Sequence, residues 1–270
     1  MIAIKTRKLV FLIILLLGIG VMAYGGFQLI ETQQIYQEGN LNYEELRLRL
    51  RGEGASEEGK YKTDKTADTD APGNPVHIPG IGINFDMLSS INKDAAAWLY
   101  CPDTAIDYPI MKAEDYSYYL NHLPDGTKNA NGSLFIDFNC APDFSDKLTV
   151  IYGHNMKSGK MFGSLTEYQA QSYYEKHPYM YLYTEQKSYR IDLIYGCVMG
   201  AGQWKDNGFM YEENLGELLS YGAKNSTFVN DINYSDINYE ENDRIVVLST
   251  CSYAFDDARY LVVGVLRGEY

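Results

Sequence analysis

Residues 244–266 read RIVVLSTCSYAFDDARYLVVGVL. The run Ile245–Val246–Val247–Leu248 ends in Ser249–Thr250–Cys251, a hydrophilic loop carries Asp256 and Asp257, and Arg259 opens a second apolar run. Short β-branched runs bounded by polar turn residues read as strands. If the two strands pair as a hairpin, Arg259 returns beside Cys251, at a strand end where a side chain meets solvent. A guanidinium there would stabilise both a thiolate and a developing oxyanion. The competing reading is a buried cysteine that closes a core strand.

Upstream, Leu148–Tyr152 is a similar run, and it ends in Gly153–His154–Asn155–Met156. Cleavage of an amide by a thiol needs a proton donor for the leaving amine, and imidazole suits that task near neutrality. His154 and Cys251 can serve together if their strands are neighbours. His77, His122 and His177 lie in a polar stretch, a polar loop and before Pro178, and read as bystanders.

Other strands are expected at Ala97–Cys101, Ala105–Met111, Ser133–Asp137, Tyr179–Tyr183 and Ser188–Met199, which with Leu148–Tyr152, Arg244–Cys251 and Arg259–Leu266 makes about eight. Residues 188–193 alternate as a half-buried strand does, whereas Phe85, Leu88 and Ile91, and later Leu215, Leu218, Leu219 and Gly222, recur at helical spacing. The fold class is mostly β, a strand-rich barrel with a few helices.

Leu9–Ile30 runs LVFLIILLLGIGVMAYGGFQLI without a charge, and as a helix covers roughly 30 Å, the thickness of a bilayer core. Lys5, Arg7 and Lys8 precede it and Glu31 follows it. The positive-inside bias places residues 1–8 in the cytosol as a short tail and the remainder outside the cell, with 9–30 as a retained signal anchor. Asn42 and Glu45 resemble a capping box opening a short juxtamembrane helix to about Arg51, and residues 52–80 have a linker's composition. The segment 31–80 is thus read as helix and flexible linker, and 81–270 as the catalytic domain.

A formal net charge of −13 repels phosphate backbones, so nucleic acid is not an expected partner. The four cysteines, Cys101, Cys140, Cys197 and Cys251, form no disulfide framework by spacing and read as thiols. No metal-ligand spacing is present; Glu212–Glu213 and Asp256–Asp257 read as solvated loop charges rather than a calcium site. Neither metal nor cofactor is expected.

The ordered set Tyr152–Met156 with Met161–Phe162, Tyr174–His177, and Leu248–Cys251 with Arg259 resembles the class B sortases. Trp98–Leu99, Tyr108–Ile110, Tyr118–Leu120 and Phe135–Phe138 extend the likeness, which spans about Phe85 to the C-terminus. The resemblance implies an eight-stranded sortase barrel with N-terminal helices and one helix between strands six and seven. It implies a cysteine transpeptidase in which Cys251 is the nucleophile, His154 the acid/base and Arg259 the oxyanion stabiliser. Its partners would be secreted proteins bearing a C-terminal sorting signal of NP-x-T-N or x-P-x-T-G form, and an amine of peptidoglycan or its lipid-linked precursor. Leu120, Trp204, Phe209, Ser249 and Ser252 map to substrate contacts, and Gly208 falls where family members can carry a bulkier residue. Alternatives are a pilin-polymerising or dedicated-substrate sortase with the same triad, and, from another class, a non-catalytic envelope-anchored module binding peptide or glycan through its 25 tyrosines.

Overall fold

A computed structural model describes residues 2–51, 78–230, 237 and 243–268, with side chains from residue 11 onward. Residues 52–77, the bulk of the expected linker, lie outside the described residues, as do the side chains of the expected cytosolic tail.

Eight strands form: β1 (Ala95–Tyr100), β2 (Asp107–Lys112), β3 (Leu134–Ile136), β4 (Leu148–Tyr152), β5 (Tyr179–Tyr183), β6 (Ser188–Gly200), β7 (Arg244–Ser252) and β8 (Ala258–Gly268). They close into a barrel in the order β1-β2-β3-β4-β7-β8-β6-β5. Every expected strand is present, with ends displaced by no more than two residues. β2–β3 and β4–β7 are parallel pairs, and the remaining neighbours are antiparallel.

The wall is buried on both sides, which explains why β7 and β8 read as unbroken apolar runs. Successive side chains point to opposite faces. Val246 and Leu248 join a cluster with Trp98, Ile110, Leu182, Ile191 and Val262. Ile245 and Val247 join a second cluster with Val150, Val263, Leu215 and Leu218. The second cluster is roofed by the long connection between β6 and β7, where two helices stand in place of the single expected one: α3 (Ala201–Asp206) and α4 (Leu215–Asn225). Gly208 follows α3 with φ +59, where a Cβ would meet Asn214 Nδ2 at 2.7 Å, so the chain conformation itself calls for glycine there.

The N-terminal region departs from expectation. A single helix, α1 (Ile2–Leu50), runs without a break through Asn42, which caps nothing and instead donates to Asp125 Oδ2 at 2.8 Å. Beyond the apolar stretch, Glu, Gln, Leu and Arg continue the helix because they are good helix formers. From Phe11 to Ile30 the large apolar side chains are exposed, and the helix is long and apolar enough to cross a membrane, with mean hydropathy 2.1 over an 18-residue stretch.

The far end of α1 is no bare spacer. Tyr43, Leu46 and Leu50 are buried in the first cluster together with Ile78, so the packed unit takes in residues upstream of the expected start at 81. Arg47 Nε donates to the Asp107 carbonyl at 3.1 Å, and Arg51 pairs with the Asp107 carboxylate, which also accepts from Trp98 Nε1 at 2.7 Å. Helix α2 (Phe85–Ile91) follows, with Asn84 accepting the Met87 N–H at 2.9 Å as its N-cap; Leu88 is its buried contact with the core.

Candidate active site

The ladder between β4 and β7 sets Tyr152 opposite Ser249, and the β7–β8 hairpin sets Ser249 opposite Leu261. Two residues further along, on the same face, Cys251 pairs with Arg259. Continuing the parallel register by two residues from Tyr152 brings His154 to the level of Cys251. His154, Cys251 and Arg259 therefore stand in one row at the ends of three adjacent strands. Topology thus brings the three residues singled out from sequence to one end of the barrel. The two conditions on which it hung, β4 beside β7 and a β7–β8 hairpin, both hold.

Two side-chain hydrogen bonds extend this row past the last backbone rung. Thr250 Oγ1 donates to the Gly153 carbonyl at 2.8 Å, and Asn155 Nδ2 donates to the Cys251 carbonyl at 2.8 Å. They fasten the residues on either side of His154 to β7. Sequence reading missed both: their residue types were visible in the GHN and STC stretches, but not their partners.

His154 is half-buried, and its Nε2 lies 2.7 Å from the Leu120 carbonyl. A carbonyl can only accept, so Nε2 carries a hydrogen and Nδ1 is the nitrogen left to exchange a proton. Leu120 thus meets the site through its main chain. Cys251 is exposed, whereas the other three thiols are buried. Burial pushes Cys101 and Cys140 up to about 11 and Cys197 up to about 12, which keeps them protonated and unreactive at neutral pH.

Arg259 lies with Cζ 5.9 Å from the centre of the Tyr152 ring, and Tyr152 is held by its hydroxyl on buried Asp137 at 2.9 Å. The Nε of Arg259 and the Oγ of Ser249 are buried without a hydrogen-bond partner, two of five such atoms among the described residues. Both sit on the Cys251 face, one level with it and one a step below. Unsatisfied donors beside an exposed thiol are available to an incoming carbonyl oxygen.

A cleft of about 380 Å³ opens over this end, lined by Cys251, Ser252, Arg259, Ala201 and the loop from Tyr253 to Asp257. Ser252 is at its wall. Trp204 and Phe209 are buried in the second cluster and are not part of this lining. Glu212, read as a solvated charge, accepts the Lys147 N–H at 2.7 Å and so supports the start of β4. Among the described residues no group of three or more His, Cys, Asp or Glu is gathered as for a metal ion.

Comparison with known proteins places this arrangement. The model of the Sortase domain family matches residues 99–267. Sortase B of Listeria monocytogenes is 31% identical over 183 residues, 66% of this chain and 72% of that one. Sortase B of Staphylococcus aureus is 28% identical over 195 residues, 71% of this chain and 77% of that one. The solved structure of Clostridium perfringens sortase B superposes with a TM-score of 0.61 at 28% identity, covering 68% of this chain and 99% of the other. With the barrel order, a lone exposed cysteine, and a histidine and an arginine level with it, these likenesses establish that the chain belongs to the sortase family, as a class B cysteine transpeptidase.

Proposed function

We propose that Cys251, His154 and Arg259 carry out transpeptidation as nucleophile, proton carrier and oxyanion stabiliser. The Cys251 thiolate attacks the Thr carbonyl of a sorting signal, forming the C–S bond. The carbonyl oxygen takes the negative charge and is met by Arg259. Collapse breaks the C–N bond, and imidazolium Nδ1 of His154 gives its proton to the departing amine, leaving a thioacyl enzyme. An incoming amine loses a proton to His154 as it attacks, the C–S bond breaks, and the thiolate is restored. The peptide bond is exchanged and no oxidant or metal is consumed.

The observation that carries this reading is the row itself: an exposed thiol paired in register with an arginine whose Nε has no partner, beside a histidine with Nδ1 free among the described residues. A sortase B of Staphylococcus aureus, 27% identical, is known as a substrate complex, and a sortase B, also 27% identical, is known in complex with triglycine. They support a peptide sorting signal as substrate and an amine of the cell wall as acceptor here. The exposed apolar stretch of α1 and the cations ahead of it support a single-pass anchor with residues 1–8 in the cytosol and the barrel outside.

The test is the full chain in detergent with quenched peptides of NP-x-T-N and x-P-x-T-G form, with and without an added amine. Cleavage after Thr, amine incorporated into the product, and loss of both in Cys251→Ala are expected. Cleavage with water as the sole acceptor, or activity surviving in Cys251→Ala, would overturn the assignment.

A further inference from the structure

Gly39 sits in the middle of α1, where glycine costs about 1 kcal/mol relative to alanine. Its position has a reason on the barrel. A Cβ there would clash with Asn131 Nδ2 and lie 2.7 Å from Asn129 Oδ1. Through the space the glycine leaves, Asn129 Nδ2 donates to the Ile35 carbonyl at 2.8 Å, and Asn131 Nδ2 to the Tyr36 carbonyl at 3.3 Å. One turn on, the buried Tyr43 hydroxyl donates to the Gly132 carbonyl at 2.6 Å. The helix therefore grips residues 129–132 over two turns.

Those residues are one arm of the loop whose other arm reaches the catalytic row. Ser133 N–H donates to the Tyr119 carbonyl at 2.7 Å, and Ser133 Oγ to the His122 carbonyl at 2.8 Å. Gly132, at φ +60, lies so close to the opposite arm that a Cβ would come within 2.7 Å of the carbonyl oxygens of Tyr119 and Leu120. That Leu120 carbonyl is the one that receives His154 Nε2. An unbroken run of short contacts thus joins the membrane-anchor helix to the catalytic imidazole.

We propose that α1 is a positioning element of the active site: Gly39 and Tyr43 hold the loop 119–133 in the conformation in which the Leu120 carbonyl fixes the His154 ring and leaves Nδ1 for proton transfer. The inference rests on the assignment of His154 as proton carrier. Ile35 lies five residues beyond Ile30, about 8 Å along the helix axis, so the same contact that orients the histidine also seats the barrel close to the membrane surface. A shift of the ring by an ångström is enough to cost a large factor in a proton-transfer step while leaving peptide binding in place.

The full chain in detergent micelles is compared with Gly39→Ala, which favours the isolated helix but clashes with Asn131, and with Tyr43→Phe, which keeps the ring and removes the hydroxyl. Leu48→Ala, on the exposed side of α1, is the control. Hydrogen exchange over 119–133, kcat and KM for peptide cleavage, and the melting midpoint are measured together. Gly39→Ala and Tyr43→Phe are expected to speed exchange in the loop and to lower kcat about tenfold, with KM within about twofold; Leu48→Ala should change neither. Faster loop exchange with kcat unchanged would overturn the coupling, and unchanged exchange in both variants would overturn the docking itself. Full activity in His154→Ala would remove the assignment beneath the proposal, and is distinguishable because it is read on the activity of that variant alone, whatever Gly39→Ala and Tyr43→Phe do to loop exchange.

Discussion

At the scale of single residues, the site is defined by what lacks a partner as much as by what has one. The Ser249 hydroxyl is buried and unbonded in the layer below Cys251. A buried hydroxyl with no partner costs stability, so Ser249→Ala should leave the denaturation midpoint equal or higher while raising KM for the sorting peptide several-fold; a fall in stability with KM unchanged would show the hydroxyl to be a structural group. Arg259 differs, because its planar guanidinium lies over the Tyr152 ring and is the group proposed to meet the carbonyl oxygen. Arg259→Lys keeps the charge and loses that geometry, and is expected to lower kcat about 10²-fold with folding intact by circular dichroism. The thiols sort themselves the same way. With Cys101, Cys140 and Cys197 buried and raised, a methanethiosulfonate reagent at pH 7.5 should modify one thiol per folded chain, with the remaining three appearing on unfolding, as counted by mass spectrometry.

At the scale of elements, the candidate site is assembled at the junction of β4 with β7, where the backbone ladder stops and side chains continue it. Asn155→Ala removes the bond to the Cys251 carbonyl at an exposed edge, so it should cost under about 1 kcal/mol of stability yet reduce kcat several-fold. Equal kcat in that variant would relegate the bond to loop architecture. This junction also marks the limit of what the sequence makes legible. The β7–β8 hairpin was readable because its two apolar runs flank a short polar loop, and pairing Arg244 with Leu266 necessarily pairs Cys251 with Arg259. The neighbourhood of β4 and β7 was not, since 97 residues separate His154 from Cys251 and nothing in local periodicity names a distant parallel partner. Family likeness, not spacing, supplied that link. The continuation of α1 was hidden for the converse reason: Asn42 with Glu45 carries a local signal for a helix start, and contacts from Asn129, Asn131 and Asp125 on the barrel override it.

At the scale of the whole molecule, a wall buried on both faces places many protonated acids out of water, and this sets the pH range over which the fold holds. Burial raises Cys101 and Cys140 to about 11 and Cys197 to about 12, from an ordinary thiol value of 9.0, and it pushes Tyr152, Tyr168 and Tyr260 above the usual phenol value of 10.0. In the unfolded chain these groups ionise at their ordinary values; in the folded barrel they keep their protons longer. Above about pH 9 the unfolded state therefore binds fewer protons than the native one, and stability must fall as pH rises, first through the thiols and then through the phenols. Protons bound by both states at pH 7 give these groups no slope there. Urea midpoints of the reduced protein, recorded from pH 7 to pH 11 in detergent, are thus expected to stay level with respect to these groups to about pH 9 and to decline beyond it. Cys197→Ala, which removes the most strongly raised of the three thiols, should make the alkaline decline shallower even though it lowers the midpoint at pH 7 through lost packing. A midpoint that stays flat to pH 11, or a decline as steep in Cys197→Ala as in the parent chain, would mean that the barrel wall admits water to these groups. The two-sided burial that makes β7 and β8 continuous apolar runs would then be looser than the packing of the two clusters requires.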